Sequence, residues 1–248
     1  FSVFCSILMI SGLFVSALFF ITSEASVDHV KLPPHGPILP KSLPQIRNWP
    51  GRCDIIDRQR TKDCLDSYFA TYGIDSSKGL PEYYEYMAKI TSITDNYGIA
   101  GYDIYCSYEV TLEACLGKKM NSSCMNPSAF TDMYNLNSTE AINYATSFPV
   151  EAYTCQNKEV VKQNYDCMVD ISKNHFQDII DCSNAMQNAL NGESDTCVPI
   201  SQYVTCLEDV YVGYCGESIK GFICNTQEIQ LNFDMNNFCQ GKLPDCDA

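Results

Sequence analysis

Reactive side chains are scarce in this chain. It has three histidines in 248 residues, and two of them, His29 and His35, lie in a proline-dense stretch. Its two closest cysteines are Cys239 and Cys246, so there is no Cys-x-x-Cys. That spacing excludes the common zinc motifs and thioredoxin-like exchange. No His-Glu-x-x-His, EF-hand loop or phosphate loop appears, so neither a metal nor another cofactor is expected. Strand-like alternation is rare, and no charge precedes Glu24.

That uncharged start, "FSVFCSILMISGLFVSALFFITSEAS", fits a secretory signal over residues 1–25, with cleavage between Ala25 and Ser26. The sequence starts on Phe1 rather than Met, so a basic n-region is expected upstream. An uncleaved anchor is the competing reading, because Phe1–Ile21 approaches the roughly 20 residues of a membrane span. Both readings place the remainder outside the cytosol, either secreted or as the extracellular domain of an anchored protein. Residues 26–52 hold six of the eleven prolines and no cysteine, which predicts a semi-extended linker or propeptide.

Fourteen cysteines follow: Cys53, Cys64, Cys106, Cys115, Cys124, Cys155, Cys167, Cys182, Cys197, Cys206, Cys215, Cys224, Cys239 and Cys246. An even number behind an export signal argues for disulfides. The sequons Asn121-Ser122-Ser123 and Asn137-Ser138-Thr139 agree with that route and make Asn121 and Asn137 candidate glycosylation sites. Net charge is -14, and from Glu151 on fifteen acids face five lysines. Such a surface repels nucleic acid and anionic membranes, so no nucleic-acid partner is expected, and a membrane only through an uncleaved N-terminal segment.

The pattern from Cys53 to Cys246 is helical and predicts a disulfide-stapled all-α domain of about five to seven helices. Gly73, Gly98, Gly117 and Gly216 mark helix ends, and Pro81 marks a start. Residues 125–154 read as a loop with a short helix. Val160–Leu190 reads as one long helix, with Val161, Tyr165, Met168, Ile171, Ile179, Cys182, Met186 and Ala189 on one face. A weaker helix is expected over Glu228–Phe238.

Helix geometry constrains the bridges. Cys206 and Cys215 are nine positions apart, as are Cys106 and Cys115. Nine steps put the two sulfurs on opposite faces, roughly 13 Å apart along the axis. A bridge needs Cα atoms within about 7 Å, so each pair must reach two different neighbours. Cys53 and Cys64, eleven apart, return to one face and can staple a single helix. Five cysteines precede residues 125–154 and nine follow, so full pairing forces at least one bridge across that region. This parity argues for a single domain over residues 53–246.

Candidate chemistry is thin. His175, with Asp178 and Asp181 nearby, is the one histidine of the helical region, but Phe176 stands where a secreted phospholipase has aspartate. Gly216-Glu217-Ser218-Ile219-Lys220-Gly221 is one residue too long for a nucleophile elbow. Asp166/Asp170 and Glu208/Asp209 read as solvated helical acids rather than a glycosidase pair. Tyr83, Tyr84 and Tyr86, and the stripe Tyr102, Tyr105, Tyr108, read as core, with a recognition face as the alternative. "RNWPGRCDIIDRQRTK" gathers five basic residues on an otherwise acidic chain.

The pieces "CDIIDRQRTKDCLDSYF", "CSYEVTLEACLG" and "CVPISQYVTCLEDVYVGYCG" resemble the nematode-specific secreted cysteine-rich family catalogued as domain of unknown function nineteen. The resemblance covers roughly Cys53 to Cys239 and implies an extracellular place, a nematode source and an all-α domain. It carries no catalytic residues. The expected function is therefore a non-enzymatic extracellular module that binds a protein or glycan through its helical surface. The alternatives are a carrier of lipid or another apolar ligand, and a hydrolase using His175.

Overall fold

The computed structural model describes residues 53–192, 194–234 and 238–246, and every element assigned within them is helical. Residues 1–25 and 26–52, with the Ala25/Ser26 cleavage site, His29 and His35, lie outside the described residues. The chain divides into two compact units, the first ending at Gln156 and the second running from Asn157.

In the first unit α1 (Ile55–Thr71), α2 (Tyr83–Tyr97), α3 (Gly101–Cys124), α4 (Pro127–Tyr134) and α5 (Ser138–Gln156) pack with α3 against α1, α2 and α5. Local chemistry fixes the starts. Asp54 caps α1 by accepting from the Ile56 and Asp57 amides at 2.9 and 2.8 Å. Asn126 caps α4 by accepting from the Ala129 amide at 3.0 Å, with Pro127 in the first turn where its missing N–H costs nothing. Gly117 sits at φ 62°, ψ 172° inside α3. Only glycine adopts that backbone cheaply. The predicted stop is there, but about two further helical turns resume beyond it, up to Cys124.

The core of this unit is aromatic. Phe69 meets Tyr86, Tyr144 and Phe148 at centroid distances of 5.4–6.4 Å, and Phe130 stacks on Phe148 at 5.7 Å. Edge-on and offset contacts suit the ring quadrupoles, and these rings bury large area for little rotamer loss. Tyr83, Tyr86, Tyr102 and Tyr105 are buried, so most of the two tyrosine groups is core; Tyr84 is exposed and Tyr108 half-buried.

In the second unit α6 (Lys158–Gln163), α7 (Tyr165–Asn174), α8 (Phe176–Leu190), α9 (Cys197–Cys215) and α10 (Lys220–Asp234) centre on α9, which packs on α7, α8 and α10. Its core includes Ile171, Ile179, Tyr203, Leu207, Tyr211 and Ile223. No helix among the described residues is long and apolar enough to cross a membrane.

Three expectations change. The long helix over Val160–Leu190 is broken at Asn164 and His175, whose backbones leave helical geometry at φ -105° and -125°. Residues 125–154 hold two helices rather than a loop with one short helix, with α5 running 19 residues through an internal Pro149. The last helix begins at Lys220, eight residues before the predicted start. These breaks and additions raise the helix number above the five to seven expected; the disulfide-stapled all-α class stands.

Candidate functional site

The fourteen cysteines form seven bridges, all closed within one unit. Cys53–Cys124, Cys64–Cys115 and Cys106–Cys155 staple the first; Cys167–Cys215, Cys182–Cys206, Cys197–Cys239 and Cys224–Cys246 the second. Cα separations of 4.9–5.8 Å are ordinary for disulfides. Cys106 and Cys115 reach α5 and α1, and Cys206 and Cys215 reach α8 and α7. Cys53 and Cys64 both staple α3. The bridge demanded across residues 125–154 is Cys106–Cys155, yet it closes inside the first unit. Parity counted at that gap therefore does not tie the two units together, because Cys155 belongs with the cysteines before it.

Sequence reasoning missed the most unusual group of side chains. Glu109 on α3 and Glu151 on α5 are 2% and 5% exposed, and their carboxyls hydrogen bond to one another. The Tyr68 hydroxyl, on α1, donates to Glu109 Oε1 and lies 3.1 Å from Glu151 Oε2. The Tyr86 hydroxyl, on α2, lies 3.3 Å from Glu151 and 3.2 Å from the Tyr68 oxygen, and Tyr72 donates to Tyr68 at 3.2 Å. Burial pushes the Glu109 carboxyl well above its ordinary range, the Glu151 charge adds to that, and the Tyr68 hydrogen bond opposes both. Burial likewise raises Glu151 against the lowering hydrogen bonds from Glu109, Tyr68, Tyr86 and Ser147. Two adjacent buried carboxyls cannot both ionise cheaply, so the pair holds a proton where free glutamates have lost theirs. Each member is buried in the helix packing; the group ties four helices together.

The signal was in the spacing. Tyr102, Tyr105, Glu109, Leu112 and Leu116 follow steps of three and four, as do Ala141, Tyr144, Phe148, Glu151 and Cys155. An acid in such a stripe is placed in the core.

The chemical candidates read from sequence, Glu208 apart, sit at or near the surface. His175 stacks on Tyr214 with centroids 4.0 Å apart, and its Nε2 lies 3.4 Å from Asp170 Oδ2. Tyr214 donates to Asp178 Oδ2 at 2.7 Å, while Asp181 accepts from Gln177. The imidazole is thus used in a ring stack and a contact with a carboxylate. Ser218 donates to Asn164 Oδ1 at 3.1 Å, and Gly216, at φ 84°, ends α9 as its sequence suggests. Asp166, Asp170 and Asp209 are exposed, whereas Glu208 is buried 3.6 Å from Lys220 Nζ. Within the basic run, Arg58 pairs with Asp132 and Lys62 with Asp66. Among the described residues no three His, Cys, Asp or Glu side chains converge to hold a metal ion.

The outer face of α9 carries a shallow open groove of about 510 Å³, lined by Ser201, Gln202, Thr205, Cys206, Asp209 and Val210. The helix behind it is pinned through Cys197, Cys206 and Cys215 to three separate elements. Compared with known proteins, the chain matches no family model, no curated sequence and no solved structure.

Proposed function

We propose that this chain is a secreted, non-enzymatic module that binds a protein or glycan partner on the outer face of α9. The observation that carries the reading is the coincidence of groove and staples. A helix fixed at three points presents hydroxyl, amide and carboxylate groups along one groove at low ordering cost, and preorganisation of that kind raises affinity. Seven bridges support an oxidising, extracellular setting. The resemblance to the nematode secreted family belongs to the same proposal and adds no activity. Stacked aromatic rings fill the core of the first unit, which favours surface binding over carriage of an apolar ligand there.

The test uses fluorescently labelled protein on a printed array of extracellular glycans and on a panel of secreted ectodomains. Binding at any positive spot is expected to fall at least tenfold, about 1.4 kcal/mol, in the double variant Gln202→Ala/Asp209→Lys. Undiminished binding by that variant would remove α9 as the contact face. His175→Ala is expected to leave every interaction and any trace hydrolase activity unchanged; a hydrolytic activity lost in that variant would revive the enzymatic reading.

A further inference from the structure

We infer that Asn137 carries an N-linked glycan and that Asn121, the other sequon asparagine, stays bare. The inference rests on the secretory reading above and goes beyond it by separating two motifs that look equivalent in sequence. Asn137 lies in the short connection between α4 and α5, and Asn137, Ser138 and Thr139 are all exposed. Its Oδ1 accepts from the Glu140 amide at 2.9 Å and so caps α5. That bond uses the oxygen and leaves Nδ2, the atom that receives sugar, outside the cap. Cap and glycan can therefore coexist on one side chain.

Asn121 differs in its third sequon residue. Ser123 is buried, with Oγ donating to the Lys119 carbonyl at 2.8 Å. The next residue, Cys124, is tied to Cys53, which closes this end of α3 against the start of α1. Once that bridge and turn form, the hydroxyl that a transferase must read is withdrawn. Asn137 stays available before and after folding; Asn121 is available only before.

The transfer needs a lipid-linked oligosaccharide diphosphate as donor. A bond forms between the first sugar carbon and Nδ2, the carbon–oxygen bond to diphosphate breaks, Nδ2 gives up one proton and the lipid diphosphate leaves. No oxidation state changes.

The experiment expresses the full chain behind a heterologous signal peptide in cultured eukaryotic cells. Glycans are then released enzymatically in heavy-oxygen water, which converts each linked asparagine to labelled aspartate, and peptides are read by mass spectrometry. Label is expected at Asn137 in nearly every secreted molecule and at Asn121 in few. Thr139→Ala should abolish the Asn137 label while sparing the cap, and Cys53→Ser/Cys124→Ser should raise Asn121 labelling several-fold. Unlabelled Asn137, or equal labelling of both sites in the unmutated chain, overturns the inference. The amount of protein secreted is measured alongside, so a failure of export is not confused with failure of the site.

Discussion

Replacing Glu151 with Gln is expected to reduce the pH dependence of stability in the first unit, leaving the part that Glu109 carries. Both buried carboxyls have folded pKa values above the ordinary glutamate value of 4.5, mainly through burial. Above pH 4.5 the unfolded chain gives up these protons and the folded chain keeps them. Stability is therefore fully present below that pH and declines as pH rises toward the folded values, by about 1.4 kcal/mol per pH unit for each retained proton. Gln has the shape of Glu and no proton to lose; the change also removes the Glu151 charge that adds to the raising of Glu109, while burial still holds that carboxyl up. Hydrogen exchange of the amides in α1, α2, α3 and α5, followed on the full chain from pH 4.5 to 9, reads the effect. Unmutated protein should lose protection steeply across that range, and Glu151→Gln should lose it with a clearly shallower slope. Equal slopes would mean the pair is not the proton store. At lower pH the sign reverses through Asp66. Burial raises its pKa, but hydrogen bonds from Lys62, Ser76 and Tyr134 outweigh burial and hold it below 3.8, so its contribution is lost as pH falls through that lowered value.

The second large effect concerns the bridge beside this cluster. Cys106–Cys155 spans 49 residues, and the loop-entropy relation gives about 4 kcal/mol for a closure of that length. It also joins α3 and α5 within a turn of Glu109 and Glu151. Cys106→Ala/Cys155→Ala should lower the melting temperature by more than removal of the shorter Cys224–Cys246 closure, which spans 22 residues. It should also flatten the pH response, because a loosened pair admits water and its carboxyls return toward ordinary values. A double-mutant cycle with Glu151→Gln should then depart from additivity. Additive losses would separate the bridge from the carboxyls.

How much of this was legible in the sequence depends on the kind of constraint. Nine-residue cysteine steps have one geometric meaning on a helix, and the structure sends Cys106, Cys115, Cys206 and Cys215 to four different helices. Apolar periodicity is weaker evidence, since it survives a break. Ile171 and Ile179 are eight apart, and that step conceals the end of α7 at Asn174 and the turn at His175. Residues 125–154 read as a loop with a short helix, yet α5 runs through Pro149, where one amide is missing from its ladder. Glu109 and Glu151 were legible as stripe positions, but one stripe does not say which acid on another helix it meets. Pairing them takes three dimensions. The groove on α9 is beyond sequence for the same reason, since a solvated helical face and a recognition face carry the same residues.

The closure of every bridge within its own unit bears on how the chain acquires its pairings. Six cysteines allow about 15 connectivities and eight about 105, whereas fourteen pooled together allow on the order of 10⁵. A chain entering an oxidising lumen from its N-terminus presents Cys155, the last sulfur of the first set, before Cys167, the first of the second. The earlier set can finish sorting while the later one is still being synthesised. Translation order thus acts as an editor, splitting one unmanageable search into two short ones.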